Sequence, residues 1–112
     1  MSGVTYNTVR EIGLALPGVE EGVSYGTQAL KVKGKLIARL REDPDILVIR
    51  TDPIEREHRM QTNPGAFFIT DHYRDYPWML VRLSRVTAAE LRDLLEQAWR
   101  RVASKRLVAR HA

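Results

Sequence analysis

The run Phe67-Phe68-Ile69-Thr70-Asp71-His72-Tyr73-Arg74-Asp75-Tyr76-Pro77-Trp78-Met79-Leu80-Val81-Arg82-Leu83 constrains the fold more than any other part of the chain. Phe67–Thr70 reads as a short buried strand. An aromatic and charged loop follows, and then a longer strand over Trp78–Leu83. In that second strand Trp78, Leu80 and Arg82 share one face, while Met79, Val81 and Leu83 share the other. A chain that carries this pair must build a sheet.

The rest of the sequence sets the size and setting of that sheet. With 112 residues the chain is expected to form a single domain over 1–112, able to bury about two-thirds of its unfolded surface. It contains no cysteine, which removes disulfides, zinc ribbons, iron–sulfur clusters and thiol nucleophiles. No N-terminal basic-then-apolar pattern marks a signal peptide, and no apolar run approaches the ~20 residues that span a bilayer. The expectation is a cytoplasmic protein with no membrane partner.

Element order follows from the local signals. Thr5 or Asn7 caps a helix running to about Leu16, with Val9, Ile12 and Leu16 at helical spacing, and Pro17-Gly18 stops it. An extended segment is expected around Gly22–Tyr25. Ala29–Lys33 and Lys35–Arg41 flank Gly34 as a hairpin, and Asp43-Pro44-Asp45 turns the chain into a strand over Ile46–Arg50. Asp52-Pro53 starts a second helix that ends near Thr62, ahead of Asn63-Pro64-Gly65. Thr87 and Glu90 form a capping box, and the helix after them buries Leu91, Leu94, Leu95, Ala98, Trp99 and Val102 on one stripe. Strands adjoining in sequence, with helices set apart, predict an α+β fold: an antiparallel sheet covered on one face by the N- and C-terminal helices.

Several short motifs, taken in order, resemble the MmcQ/YjbR family of small bacterial proteins. They are Leu16-Pro17-Gly18-Val19-Glu20-Glu21, Gly34-Lys35 with Ala38, Phe67-Phe68, His72-Tyr73, Tyr76-Pro77 and Val81-Arg82-Leu83. The resemblance covers nearly the whole chain. It implies a CyaY-like (frataxin-like) two-layer α+β sandwich and an architecture described as a double-wing DNA-binding motif. It supplies no catalytic residue. Frataxin-type iron binding relies on an acidic ridge on the first helix, where this chain has only Glu11, with Glu20 and Glu21 just beyond. No metal and no cofactor are expected.

Three constellations remain as candidates for function. Gly22-Val23-Ser24-Tyr25-Gly26 fits the nucleophile-elbow pattern, but a β-like segment follows where that motif needs a helix, so a bent strand or turn accounts for it better. His72, beside Asp71 and Tyr73, is the one histidine in a suggestive setting; without a partner of metal-ligand spacing, a histidine seated in a loop is the simpler reading. In the hairpin, strict alternation puts Lys31, Lys33, Lys35, Arg39 and Arg41 on one face and Val32, Leu36, Ala38 and Leu40 on the other. Such a stripe either solvates the sheet and blunts its edge or tracks a phosphate backbone. The formal charge is +4, from 18 basic and 14 acidic side chains, and Arg100, Arg101, Lys105, Arg106 and Arg110 give the C-terminus a basic bias without acids.

The sequence therefore predicts a non-enzymatic protein whose partner is DNA, contacted at phosphates by Lys31, Lys33, Lys35, Arg39, Arg41 and Arg82. The alternative is a protein-interaction or small-ligand module built on the loop residues His72, Tyr73, Tyr76 and Trp78. No catalytic residue is assigned.

Overall fold

The computed structural model describes residues 3–111. Four helices and six strands follow one another as α1 (Tyr6–Leu14), β1 (Val19–Ser24), β2 (Thr27–Val32), β3 (Lys35–Leu40), β4 (Ile46–Arg50), α2 (Pro53–Thr62), β5 (Phe67–Phe68), β6 (Trp78–Arg82), α3 (Ala88–Arg100) and α4 (Lys105–His111). The strands form one antiparallel sheet in the order β1-β2-β3-β4-β6-β5, giving an α+β architecture. The first four strands are a meander, and the segment after α2 returns to add β6 and then β5 on the far side.

Two tight turns set the meander. Tyr25-Gly26 (φ 54° and 80°) joins β1 to β2, and Lys33-Gly34 (φ 50° and 81°) joins β2 to β3. Both residues of each pair are left-handed, the two-residue turn whose twist matches that of the flanking strands. The Gly-x-Ser-x-Gly pattern is thus a hairpin turn, with Ser24 ending one strand and Thr27 opening the next. Asp43 makes the third turn, its Oδ1 accepting from the Asp45 amide at 3.0 Å.

The helices start where their caps place them. Asp52 Oδ2 accepts from the Ile54 and Glu55 amides at 3.0 and 3.1 Å, and Pro53 fills the first turn of α2. Thr87 and Glu90 exchange both bonds of a capping box at the head of α3. Several boundaries differ from the sequence reading: β1 starts at Val19 and not near Gly22, β2 starts at Thr27 and not Ala29, and Val102 lies beyond the end of α3, only partly buried. α1 stops at Leu14, β5 is only two residues long, and the basic tail turns at Ser104 into the separate helix α4, anchored by Leu107. Ile69 and Thr70 leave the sheet because Asp71 opens a turn of 3₁₀ helix over Asp71–Tyr73.

The main core lies between one sheet face and α1 with α3. Leu30, Ile37, Leu47, Ile49, Met79 and Val81 meet Val9, Leu91, Leu95 and Trp99 there, all fully buried. Trp99 Nε1 donates to the Pro17 carbonyl at 2.8 Å and ties the two ends of the chain together. Among the described residues the other face carries no α-helix, only the 3₁₀ turn that ends at Tyr73. Its smaller apolar cluster is Ile46, Val48 and Leu80 beneath Tyr73. Among the described residues, no helix is long and apolar enough to cross a membrane. Thr87→Ala removes half of the capping box that starts the longest helix. It is expected to lower stability by about 1 kcal/mol, read from the midpoint of urea unfolding, with an unchanged midpoint counting against the cap.

Candidate functional site

The helix-free face of the sheet holds most of the chemistry that the sequence offers, and a β-bulge decides which residues reach it. Between the pairs Leu30↔Ala38 and Lys31↔Leu36, β3 carries one extra residue, Ile37. Ile37 is fully buried in the main core, and from that point the alternation of β3 shifts by one. Lys31 and Leu36 consequently share the helix-free face with Ala29 and Arg39, whereas Lys35 pairs with Val32 on the helix side. The single stripe expected of Lys31, Lys33, Lys35, Arg39 and Arg41 is therefore divided: Lys33 sits in the turn, and Lys35 points to the opposite face. The error lies in assuming an unbroken period of two.

The arginines of this face stack on aromatic rings. The guanidinium carbon of Arg39 lies 4.9 Å from the centre of the Tyr25 ring, Arg50 lies 4.6 Å from that of Trp78, and Arg82 lies 4.3 Å from that of Phe68. Arg39 also donates to Thr27 Oγ1 at 3.4 Å and to Tyr73 Oη at 3.2 Å. Lys31 Nζ donates to the Val23 carbonyl at 3.1 Å. Ion pairs among the described residues are made by Arg10, Arg59, Arg74, Arg100 and Arg101, and none of Lys31, Lys33, Lys35, Arg39, Arg41 or Arg82 belongs to one.

Two neighbouring concavities open on this face and share Arg41 and Glu42. One, of about 300 Å³, is lined by Tyr25, Thr27, Arg39, His72 and Tyr73. The other, of about 430 Å³, is lined by Asp43, Ile46, Phe68 and Arg82. Tyr25, with Arg39 against its ring, is still 86% exposed, and Tyr76, beside His72, is 57% exposed.

The loop between β5 and β6 is held by one side chain. Arg56 of α2 directs its guanidinium at four backbone carbonyls: Tyr73 (3.1 Å), Tyr76 (2.8 Å) and Trp78 (3.0 Å) from Nη1, and Arg74 (3.0 Å) from Nη2. The Tyr73 and Tyr76 carbonyls also accept from the Tyr76 and Trp78 amides at 3.1 and 2.8 Å, and the guanidinium fork supplies further donors to all four. The loop residues consequently separate. Tyr73 is buried against the sheet and Trp78 is half-buried under Arg50, whereas His72 and Tyr76 are exposed, their ring centres 6.4 Å apart. His72 meets Tyr73 edge-on at 4.9 Å. Among the described residues, no group of three His, Asp or Glu side chains is placed to hold a metal ion.

Sequence reasoning missed Arg56, Arg50 and Tyr25. Arg50 had a signal, since alternation along Ile46–Arg50 puts it on the face of Ile46 and Val48. Tyr25 had one in the Tyr-Gly pair of a hairpin turn. Nothing local marks Arg56, whose partners lie 17 to 22 residues away.

Comparison with known proteins adds the family. The model of the YjbR family matches residues 14–101. The uncharacterized proteins Rv2570 of Mycobacterium tuberculosis and Mb2600 of Mycobacterium bovis are each 42% identical over 45 residues. That stretch is 40% of this chain and 35% of each relative, so the chain spans about a third of their length. The crystal structure of Deinococcus radiodurans DR2400, with family-model domain DUF419, superposes with a TM-score of 0.77 at 26% identity. The match covers 90% of this chain and 80% of that one.

Arg56→Ala is expected to cost about 2 kcal/mol, since it removes four charge-assisted bonds to backbone carbonyls, two of them partly buried. Hydrogen exchange should rise first at the amides of Tyr73, Tyr76 and Trp78, which belong to the loop the guanidinium holds. Exchange rising evenly across the sheet would show that Arg56 acts on the fold as a whole and not on the loop.

Proposed function

This chain belongs to the YjbR family, and from that premise we propose that it is a non-enzymatic protein that binds DNA through the helix-free face of its sheet. The observation that supports the reading best is the set of cations there without carboxylate partners. Arg41 and Arg82 line adjoining concavities, Arg39 lies between the first hairpin turn and the loop, and Lys33 marks the tip of the second hairpin. Their role is to position phosphates, with no base-specific reader assigned. Glu42 and Asp43 line the rim with Arg41, so the phosphate path runs on the Arg82 side of that rim. Lys35, on the opposite face, contributes through the field of the hairpin tip and not through direct contact. Tyr25 and Tyr76 offer exposed rings on which unpaired bases stack.

A second reading rests on the concavity of about 300 Å³ bounded by Tyr25, His72 and Tyr73, whose volume falls at the small end of ligand pockets. On that reading the face takes a small uncharged aromatic ligand or a short peptide.

Salt separates the two. Fluorescence anisotropy with labelled duplex and single-stranded DNA should show binding that falls steeply with salt, by roughly 0.9 log units per tenfold salt for each phosphate contacted. Arg41→Glu/Arg82→Glu should weaken it and reduce the slope by roughly two contacts. No binding at low salt, or identical curves for the wild type and the double variant, would remove DNA as the partner of this face. A salt-insensitive ligand lost in Tyr25→Ala would favour the second reading.

A further inference from the structure

A separate group of cations lies at the opposite end of β4 from Arg41 and Arg82. Arg50 is the last residue of that strand, half-buried, with its Nε donating to the Leu36 carbonyl at 2.8 Å and its guanidinium over Trp78. Among the described residues its two terminal amino groups have no hydrogen-bond partner, and no carboxylate pairs with it. Burial, and then the field of Arg101, holds its pKa below the ordinary guanidinium value.

Arg50 and Arg101 line one concavity of about 190 Å³ together with Asp52, Leu94, Gln97 and Arg100. The acids nearby are already committed. Asp52 Oδ2 caps α2, its Oδ1 lies 3.6 Å from Arg101, and Glu96 holds Arg100 at 2.8 Å. Three guanidiniums therefore meet two carboxylates, Asp52 and Glu96, and the excess positive charge sits on Arg50, the one without a carboxylate partner among the described residues. The N-terminal pole of α2 adds positive potential at Asp52, and the C-terminal pole of α3, at Arg100 and Arg101, opposes it.

We propose that this concavity is a binding site for a phosphomonoester group, held by Arg50 and Arg101 with the Gln97 carboxamide as a neutral donor. Guanidinium forks match phosphate oxygens, and a dianion relieves the repulsion between two like charges that share a partly buried site. The volume takes such a group and not a whole nucleotide, so the remainder of the ligand lies outside. The site does not depend on the DNA reading, since it shares no lining residue with the concavities of Arg41 and Arg82.

Trp78, stacked on Arg50, is a built-in reporter, and a Trp78→Phe control allows the contribution of Trp99, whose ring centre lies 5.9 Å from the Arg100 guanidinium, to be subtracted. Inorganic phosphate is titrated at fixed ionic strength, with chloride as the balancing ion, and Trp78 emission is followed. The expected result is a saturable change below about 10 mM, weakened roughly tenfold in Arg50→Gln and in Arg101→Gln. Arg101 touches only Asp52 in ion pairing, so its variant carries the test if Arg50→Gln does not fold. The proposal is overturned if phosphate does no more than chloride, or if both variants respond like the wild type. It is also overturned if Arg41→Glu/Arg82→Glu abolishes the response while Arg101→Gln keeps it. A retained response in Arg41→Glu/Arg82→Glu supports a separate site even where DNA binding fails. Given that response, a 5′-phosphorylated oligonucleotide binding more tightly than its unphosphorylated twin assigns the group to a nucleic-acid end. Equal binding of the two assigns it to a free phosphomonoester.

Discussion

The guanidinium of Arg56 is the interaction on which the helix-free face depends. Residues between β5 and β6 cross that face without a strand partner, and the carbonyls of Tyr73, Arg74, Tyr76 and Trp78 all accept from this one side chain, in addition to the backbone amides that reach Tyr73 and Tyr76. By gathering all four, Arg56 sets the loop's path, seats Tyr73 on Ile46, Val48 and Leu80, and leaves His72 and Tyr76 outward. It also anchors α2, a helix with no buried residue of its own. One turn further on, Arg59 does the same toward the other side, pairing with Glu55 and Asp93 and lying over Phe67. α2 is thus attached by two arginines and the partly buried Met60, where most helices use a full apolar stripe.

Elements governed by neighbours in sequence were legible before the fold was known. Asp52-Pro53, the Thr87–Glu90 box and the stripe from Leu91 to Trp99 all form where their residues say, because caps and helical periodicity are settled within a few residues. So is the Lys33-Gly34 turn. The bulge at Ile37 was not legible, since a strand's parity can shift wherever the partner strand tolerates an unpaired residue. That one residue moved Leu36 to the helix-free face and Lys35 away from it. Helix α4 was hidden for a different reason: it is short, basic and held by a single buried leucine, Leu107, so it carries almost no periodic signal. The site was legible in its residue types and not in its grouping.

Stacking changes what the arginines of this face can do. An arginine lying flat over an aromatic ring has already lost much of its rotamer freedom, yet keeps the edge of its guanidinium free to donate. Arg82 over Phe68 and Arg39 over Tyr25 are therefore ordered before any anion arrives, and binding costs them less side-chain entropy than it would cost a free lysine. Lys33 and Lys35 lack such a support. On the proposed reading the arginines contribute most to affinity, while the lysines of the hairpin tip contribute chiefly to the approach, through their field.

The same strand that joins the two basic regions also keeps them apart. Ile46 lies at the Arg82 end of β4 and Arg50 at the Trp78 end, four residues along an extended chain. At about 3.3 Å per residue that is roughly 13 Å. This exceeds the Debye length of about 8 Å at physiological ionic strength. An anion held at one end is consequently screened from the other, and neutralising Arg41 and Arg82 leaves the potential at Arg50 and Arg101 nearly unchanged. Long-range attraction of a polyanion adds both regions together at low salt; close contact treats them as two sites. A partner that engages both must be rigid enough to hold its phosphates at that spacing or long enough to reach around the end of the sheet. A small phosphomonoester engages only one.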